Sequence, residues 1–296
     1  MKIVALIVTF NRLEKLKTTI EKSLAQPFSD IVVINNASSD GTKEWLEKIE
    51  SSRVIALHLE ENKGGAGGFK YGSEWISRNL SCDWILFYDD DAYPCEDFYQ
   101  QLVSQSIVDE CAYACKVVDL ENNICKMNVP WKIYPKTFSE TLKYIRNPTA
   151  YVASTQSNKS QEIVSLSFVG MLISHKMLNE HYTKINDKLF IYFDDVYFSY
   201  HLILNGIKLS YLPKLVMKHD VSNNTAAIPS WKLYYLIRNM ILSRNEFGIT
   251  SPFSKVFIAA RLIKYILLSL KQKNKYQNLL AVLKGFHDGI FGHKIK

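Results

Sequence analysis

Short β-branched and aromatic runs alternate with stretches whose apolar residues return every three or four positions. Ile3–Thr9, residues 31–34, residues 54–57 and residues 84–88 are the apolar runs, and each predicts a buried strand. Between them Leu13, Leu16, Ile20 and Leu24 recur at helical spacing, and Trp45, Leu46 and Ile49 mark a second helix. A third helix is expected after a glycine-rich loop at 64–68, running to about Asn79. Strand and helix alternating through short loops predict an α/β fold with a doubly wound, mostly parallel sheet. Ligands in such sheets bind beyond the carboxyl ends of the strands. Residues 9–12, 35–40 and 89–91 are therefore expected to meet at one edge.

The pattern loosens further on. Residues 128–158 hold three prolines among many polar residues and read as a long loop or lid. Residues 163–174 are strand-like, with Gly170 inside. Residues 190–193 form an aromatic strand-like run leading into Asp194 and Asp195, then a helix to about Gly206. Residues 208–212 make a short strand, and His219 follows one more apolar stretch. The organisation expected is a domain over 1–225 and a helical appendage over 226–296. Within the domain, about 1–120 and about 160–225 form two halves.

Charge is unevenly spread along the chain. The net charge of +7 belongs to the C-terminal segment. Residues 251–296 carry nine Lys or Arg, Lys294 and Lys296 among them, against Asp288 alone, while residues 1–250 are close to neutral. On one helix, Arg261, Lys264, Lys271 and Lys275 would share an arc of roughly 80°, opposite Ile263, Ile266, Leu267 and Leu270. A basic amphipathic helix suits an anionic membrane surface. The plain alternative is a helix packed on the domain with a solvated face. Nucleic acid is not expected, since no aromatic-basic platform is evident. The apolar start of the chain is too short for a signal peptide, and no run reaches a membrane span. Five cysteines without a paired framework predict reduced thiols in the cytosol. Cys111 and Cys115 have a spacing a helix could use for metal, but no second pair follows.

Three consecutive aspartates, Asp89, Asp90 and Asp91, end the fourth apolar run. Three carboxylates delivered by a buried strand repel one another, and desolvation raises at least one pKa. A hard divalent cation, Mg2+ or Mn2+, relieves this and leaves positions open for substrate phosphates. The alternatives are a solvated acidic turn or a calcium loop, and the latter lacks its twelve-residue spacing. The glycines at 64–68 follow a strand and open a helix. There they permit close backbone approach and offer N–H groups to an anion, or else make a tight structural turn.

Val8-Thr9-Phe10-Asn11-Arg12, then residues 36–42, then Asn62-x-Gly64-Gly65, then Asp89-Asp90-Asp91 resemble, in order and spacing, the family 2 inverting glycosyltransferases of GT-A fold. The likeness covers roughly residues 1–220. It implies that Asp91 binds the metal, Asp89 the metal or ribose, and that His219 completes the site. Asp90 is placed with the nucleotide sugar. Asn35 to Asp40 would hold base and ribose, with Thr9 and Arg12 as companions and Gly64 and Gly65 lining the donor pocket. Many members carry an aspartate at Asn35, which leaves UDP and dTDP both open as donor nucleotides. Arg12 either pairs with phosphate or is a surface residue at a helix start. The family's general base falls at Asp195, with Asp194 on sugar hydroxyls; N-capping of the next helix is the other role for these acids. Trp131, Tyr134, Trp231, Tyr234 and Tyr235 either stack on sugars or pack in the core.

The resemblance implies transfer of a hexosyl unit to a hydroxyl of a growing or lipid-linked glycan in bacterial polysaccharide synthesis. Residues 64–69 and 193–195 are most similar to galactofuranosyl- and rhamnosyltransferases. The enzyme would sit in the cytosol on the inner face of the cell membrane, and a homo-oligomer is compatible with the sequence. Two rivals are a catalytically inactive nucleotide- or carbohydrate-binding relative and a nucleotidyltransferase. Intact Asp195 and His219 argue against the first, and the lack of an N-terminal Gly-rich loop against the second.

Overall fold

The computed structural model describes residues 1–221 and 228–292. The first four strands are β1 (Ile3–Thr9), β2 (Asp30–Asn35), β3 (Val54–His58) and β4 (Trp84–Asp89), with α1 (Leu13–Leu24), α2 (Thr42–Leu46) and α3 (Gly64–Asn79) between them. All four strands are parallel, in the order β3-β2-β1-β4. β1 is buried on both faces, which is why its side chains are almost all aliphatic. Ile3, Ala5 and Ile7 enter one core layer, and Val4, Leu6 and Val8 the other.

The second half is mixed. It runs β5 (Ala92–Pro94), α4 (Phe98–Val103), β6 (Cys111–Val118), α5 (Phe138–Arg146), β7 (Gln161–Ile163), β8 (Met171–Ser174), α6 (His175–His181), α7 (Asp194–Leu204) and β9 (Lys208–His219). β8 lies antiparallel between β4 and β6, and β9 runs parallel to β6. Residues 208–219 are thus one long strand rather than a short one followed by a stretch. Its register shifts between Leu212 and Val216, where Pro213 cannot donate to the ladder. β5 and β7 pair antiparallel with β9.

Three further expectations are corrected. Residues 128–158 are not all loop, because Thr137 and Glu140 form a capping box that starts α5. Residues 190–193 are not a strand. Phe190, Tyr192 and Phe193 have φ of 67°, 69° and 65°, a left-handed turn. Cys111 and Cys115 lie on β6, not on a helix, and both thiols are free.

The chain closes with α8 (Ser230–Phe247), α9 (Lys255–Leu270) and α10 (Lys275–Phe291). Leu233, Ile237 and Met240 of α8 and Phe257 of α9 join Tyr134 and Val196 in a third core. The expected single basic arc is broken, since α9 ends at Leu270 and Lys275 opens α10. Residues 225 and 226, at the expected domain boundary, and Lys294 and Lys296 lie outside the described residues. Among the described residues no helix is long and apolar enough to cross a membrane.

Candidate active site

β1, β2, β4 and β9 end on the same edge of the sheet, bringing Thr9, Asn35, Asp89 and His219 together. Asp90 follows β4 and is buried. Its carboxylate accepts from Thr9 Oγ1 at 2.8 Å, from the Phe10 amide at 3.2 Å and from Arg12 Nη1 at 3.4 Å. Thr9 and Asp90 therefore bind one another and tie β1 to β4. Arg12 also reaches Asp91 Oδ2 at 2.5 Å, so its guanidinium lies on the aspartates.

Asp91 is surrounded by cations. Lys15 Nζ lies 3.6 Å from it, and His219 Nε2 is 3.2 Å from its Oδ1. Burial pushes its pKa up, but His219, Arg12 and Lys15 outweigh this and hold it below the usual carboxylate range. At Asp89 the charges of His219 and Arg12 do not outweigh the opposing effects. Burial first, then repulsion from Asp91 and Asp90, push it up to about 7. Asp90 is pushed up to about 6, chiefly by burial. Burial lowers the His219 pKa, yet Asp91, Cys125 and Asp89 bring it up to about 9. Asn128 Oδ1 faces His219 Nδ1 at 3.1 Å. An amide oxygen can only accept, so it selects the proton on Nδ1 and turns Nε2 toward Asp91.

Asp89, Asp91 and His219 offer ligand atoms within 4.8 Å of one another. Asp91 Oδ1 is buried and accepts no well-directed hydrogen bond, although His219 Nε2 is near. A buried carboxylate oxygen without a partner is costly. Two carboxylates and an imidazole suit Mn2+ or Mg2+ and would satisfy it. The residues present fit a divalent cation.

The loop after β2 is more self-contained than its sequence suggests. Asn35 Oδ1 accepts from the Ser38 amide at 3.0 Å, and its Nδ2 lies 3.0 Å from His58 Nδ1. Asp40 accepts from the Leu13 amide at 2.9 Å, at the start of α1, and from Thr42 Oγ1 at 2.6 Å, at the start of α2. It joins two helix N-termini. Asn36 binds Asn62 Oδ1 at 3.0 Å and the Gly64 carbonyl at 2.9 Å.

The glycine cluster is the first turns of α3, not a loop. The Gly64 amide donates to Asn62 Oδ1 at 2.8 Å, and the Ala66 amide to the Phe190 carbonyl at 3.2 Å. Two of the N–H groups expected to face an anion are thus already engaged. Gly64 has φ +70°, and a Cβ there would lie 2.1 Å from the Phe190 oxygen. Gly65 faces open space.

Asp194 and Asp195 open α7. Phe193 takes the N-cap position and makes no side-chain cap bond, so the capping role is not theirs. Asp195 Oδ1 accepts from the next amide, Val196, at 2.7 Å. Burial drives Asp194 well above the ordinary range, with Asp195 and Asp89 adding to it. Burial also raises Asp195, but the amides of Val196, Asp195 and Phe168 restrain it at about 6. Burial thus raises both carboxyls of the pair, and repulsion from Asp195 adds to the rise at Asp194.

The turn before them is clamped from α8. Asn239 Nδ2 lies 3.0, 2.7 and 2.9 Å from the carbonyls of Leu189, Ile191 and Tyr192, which accept from it. Arg238 Nη2 donates to the carbonyls of Lys188 at 2.8 Å and Leu189 at 3.1 Å, and its Nε to Asn239 Oδ1 at 2.9 Å. Sequence reasoning missed Lys15, Asn128, Arg238 and Asn239. None belongs to a motif, and only their places in the fold reveal them. Trp131 and Tyr134 pack against Tyr144 and Phe253, while Tyr235 stacks on Phe190 and flanks Arg238. Trp231 is half exposed.

A family model described as Glycosyl transferase family 2 matches residues 4–180, more than half of the chain. The chain belongs to this family. Undecaprenyl-phosphate mannosyltransferase of Micrococcus luteus is 33% identical over 78 residues, 25% of this chain and 32% of that protein. Poly-beta-1,6-N-acetyl-D-glucosamine synthase of Staphylococcus aureus is 32% identical over 100 residues, 31% of this chain and 24% of the synthase. The matches to these curated relatives thus span about a third of their length or less. Among solved structures, S. aureus TarS superposes with a TM-score of 0.54 at 14% identity, covering 99% of this chain and 73% of the other. GalNAc-T7, crystallised with UDP, GalNAc and Mn2+, gives 0.60 at 14% identity, covering 99% and 56%. These likenesses show the fold, and it is GT-A.

Proposed function

We propose that this family 2 glycosyltransferase is an inverting, metal-dependent hexosyltransferase. Asp89, Asp91 and His219 would hold Mn2+ or Mg2+, which supplies positive charge to the departing diphosphate. Asp195 takes the proton from an acceptor hydroxyl. The freed oxygen pair bonds the anomeric carbon from the face opposite the leaving group. The bond from that carbon to the diphosphate oxygen breaks, and nucleoside diphosphate leaves with the pair. Asp194 contacts sugar hydroxyls beside it. The observation that carries this reading is the buried cluster in which Asp89, Asp91 and His219 bring two carboxylates and an imidazole within 4.8 Å of one another.

The donor is a UDP- or dTDP-sugar, with galactofuranosyl or rhamnosyl favoured by the resemblance at residues 64–69 and 193–195. The UDP and Mn2+ of GalNAc-T7 and the names of the two bacterial relatives support a nucleotide sugar and a glycan or lipid-linked acceptor. The exposed apolar and basic faces of α9 and α10 support attachment to the inner face of the cell membrane. Thermal shift against UDP-, dTDP- and GDP-sugars, with and without Mn2+, tests the donor site. A metal-dependent rise in Tm with one nucleotide class is expected. No rise with any of them at millimolar ligand would remove the donor site from the reading.

A further inference from the structure

α5 and α9 enclose a groove of about 450 Å3 that the reaction just described does not use. Its walls are apolar, with Ile145 from α5 facing Ala260, Ile263 and Leu267 from α9. Ile145, Ile263 and Leu267 stay 58, 59 and 54% exposed, an unusual gathering of bare aliphatic groups in one concavity. Its edge carries Arg261, Lys264 and Lys271, and no acid lines it. Among the described residues none of these three cations has an acidic partner within ion-pair distance, and α9 contains no acid. The Arg261 guanidinium lies 5.3 Å over the ring of Phe257, so one cation is held at the apolar wall.

We infer that this groove seats one hydrocarbon chain of an anionic phospholipid drawn from a bilayer leaflet, with Arg261 and Lys264, one turn apart on α9, on its phosphate and Lys271 adding positive charge further along the edge. The walls have an apolar chain as their complement, and the cations at the edge an anion. A phospholipid joins both in one molecule, and the volume falls in the usual range for small-molecule sites. The adjoining α10 shows a second exposed apolar stripe at helical spacing, Tyr276, Leu280, Leu283 and Ile290. That stripe suits a surface of lipid rather than a single soluble ligand. The inference deepens, and rests on, the membrane-attachment part of the proposed function.

Co-sedimentation of the full chain with vesicles tests it, using phosphatidylglycerol in phosphatidylcholine against phosphatidylcholine alone. Binding to the anionic vesicles only is expected. Arg261→Gln with Lys264→Gln removes two cations and should weaken partitioning about 30-fold. Ala260→Trp fills the groove and leaves every charge, and should weaken it at least tenfold. Leu267→Gln, at an exposed position, gives the same reading should Ala260→Trp fail to fold. Each variant should keep the wild-type Tm and its shift with nucleotide sugar. Loss with the charge variant but not with Ala260→Trp or Leu267→Gln would overturn the groove and leave membrane attachment standing. Displacement of the vesicles by a micellar polyprenyl phosphate would replace the phospholipid by a lipid-linked substrate and overturn the assignment. No binding to either vesicle overturns both ideas. Vesicle binding without any donor-induced shift would count against the transfer reaction alone.

Discussion

Burial raises the pKa of both Asp194 and Asp195, and main-chain amides restrain each: those of Val196, Asp195 and Phe168 at Asp195, and those of Asp194 and Asp195 at Asp194. A proton acceptor must be ionised, and the Asp195 pKa is raised to about 6. Transfer should therefore fall with unit slope as pH drops below about 6 and level off above it, in a profile of log kcat/KM. Asp195→Asn should lower kcat by 10²–10⁴-fold while calorimetric binding of nucleotide with Mn2+ stays unchanged. Loss of nucleotide binding in that variant would assign Asp195 to the donor side. At this scale the meeting of Asp89, Asp91 and His219 was legible, because carboxylate and imidazole announce their chemistry by type and order. Its supports were not. Asn128 and Lys15 are common residues whose meaning lies in their contacts with His219 at the end of β9 and with Asp91 after β4.

Elements were legible wherever burial imposed a clean period. β1 to β4 and α1 were, since a strand buried on both faces must be apolar throughout. α5 was legible in principle, because Thr137-x-x-Glu140 is a helix-start signal, but prolines on both sides mask it. The turn at 190–193 was not. Aromatic residues favour strands, and only Asn239 and Arg238, far along the chain, hold three of them in left-handed geometry. The glycines of α3 divide in the same way. Gly64→Ala puts a methyl group against the Phe190 carbonyl at positive φ and should lower Tm by several degrees in a calorimetric scan. Gly65→Ala meets open space and should leave Tm unchanged or slightly raised. Equal losses from both would return the pair to a shared role at a ligand.

The whole molecule is less divided than the boundary expected at 225–226 suggests. The helices beyond that boundary read as an appendage, yet α8 contributes the buried Asn239 that the carbonyls of Leu189, Ile191 and Tyr192 rely on. Asn239→Ala should cost about 2–3 kcal/mol in urea unfolding, the range for buried polar groups left unpaired. It should also lower kcat while leaving the Kd for nucleotide alone unchanged. A stability loss with kcat intact would limit Asn239 to packing. The clamp also sets an order of events during synthesis. The sheet edge that holds Thr9, Asn35 and Asp89 is complete in sequence well before α8 emerges from the ribosome. Asp194 and Asp195 gain their fixed setting only once residues 238 and 239 have left the exit tunnel. A nascent chain halted short of that point lacks the Asn239 contacts that hold the turn leading into Asp194 and Asp195.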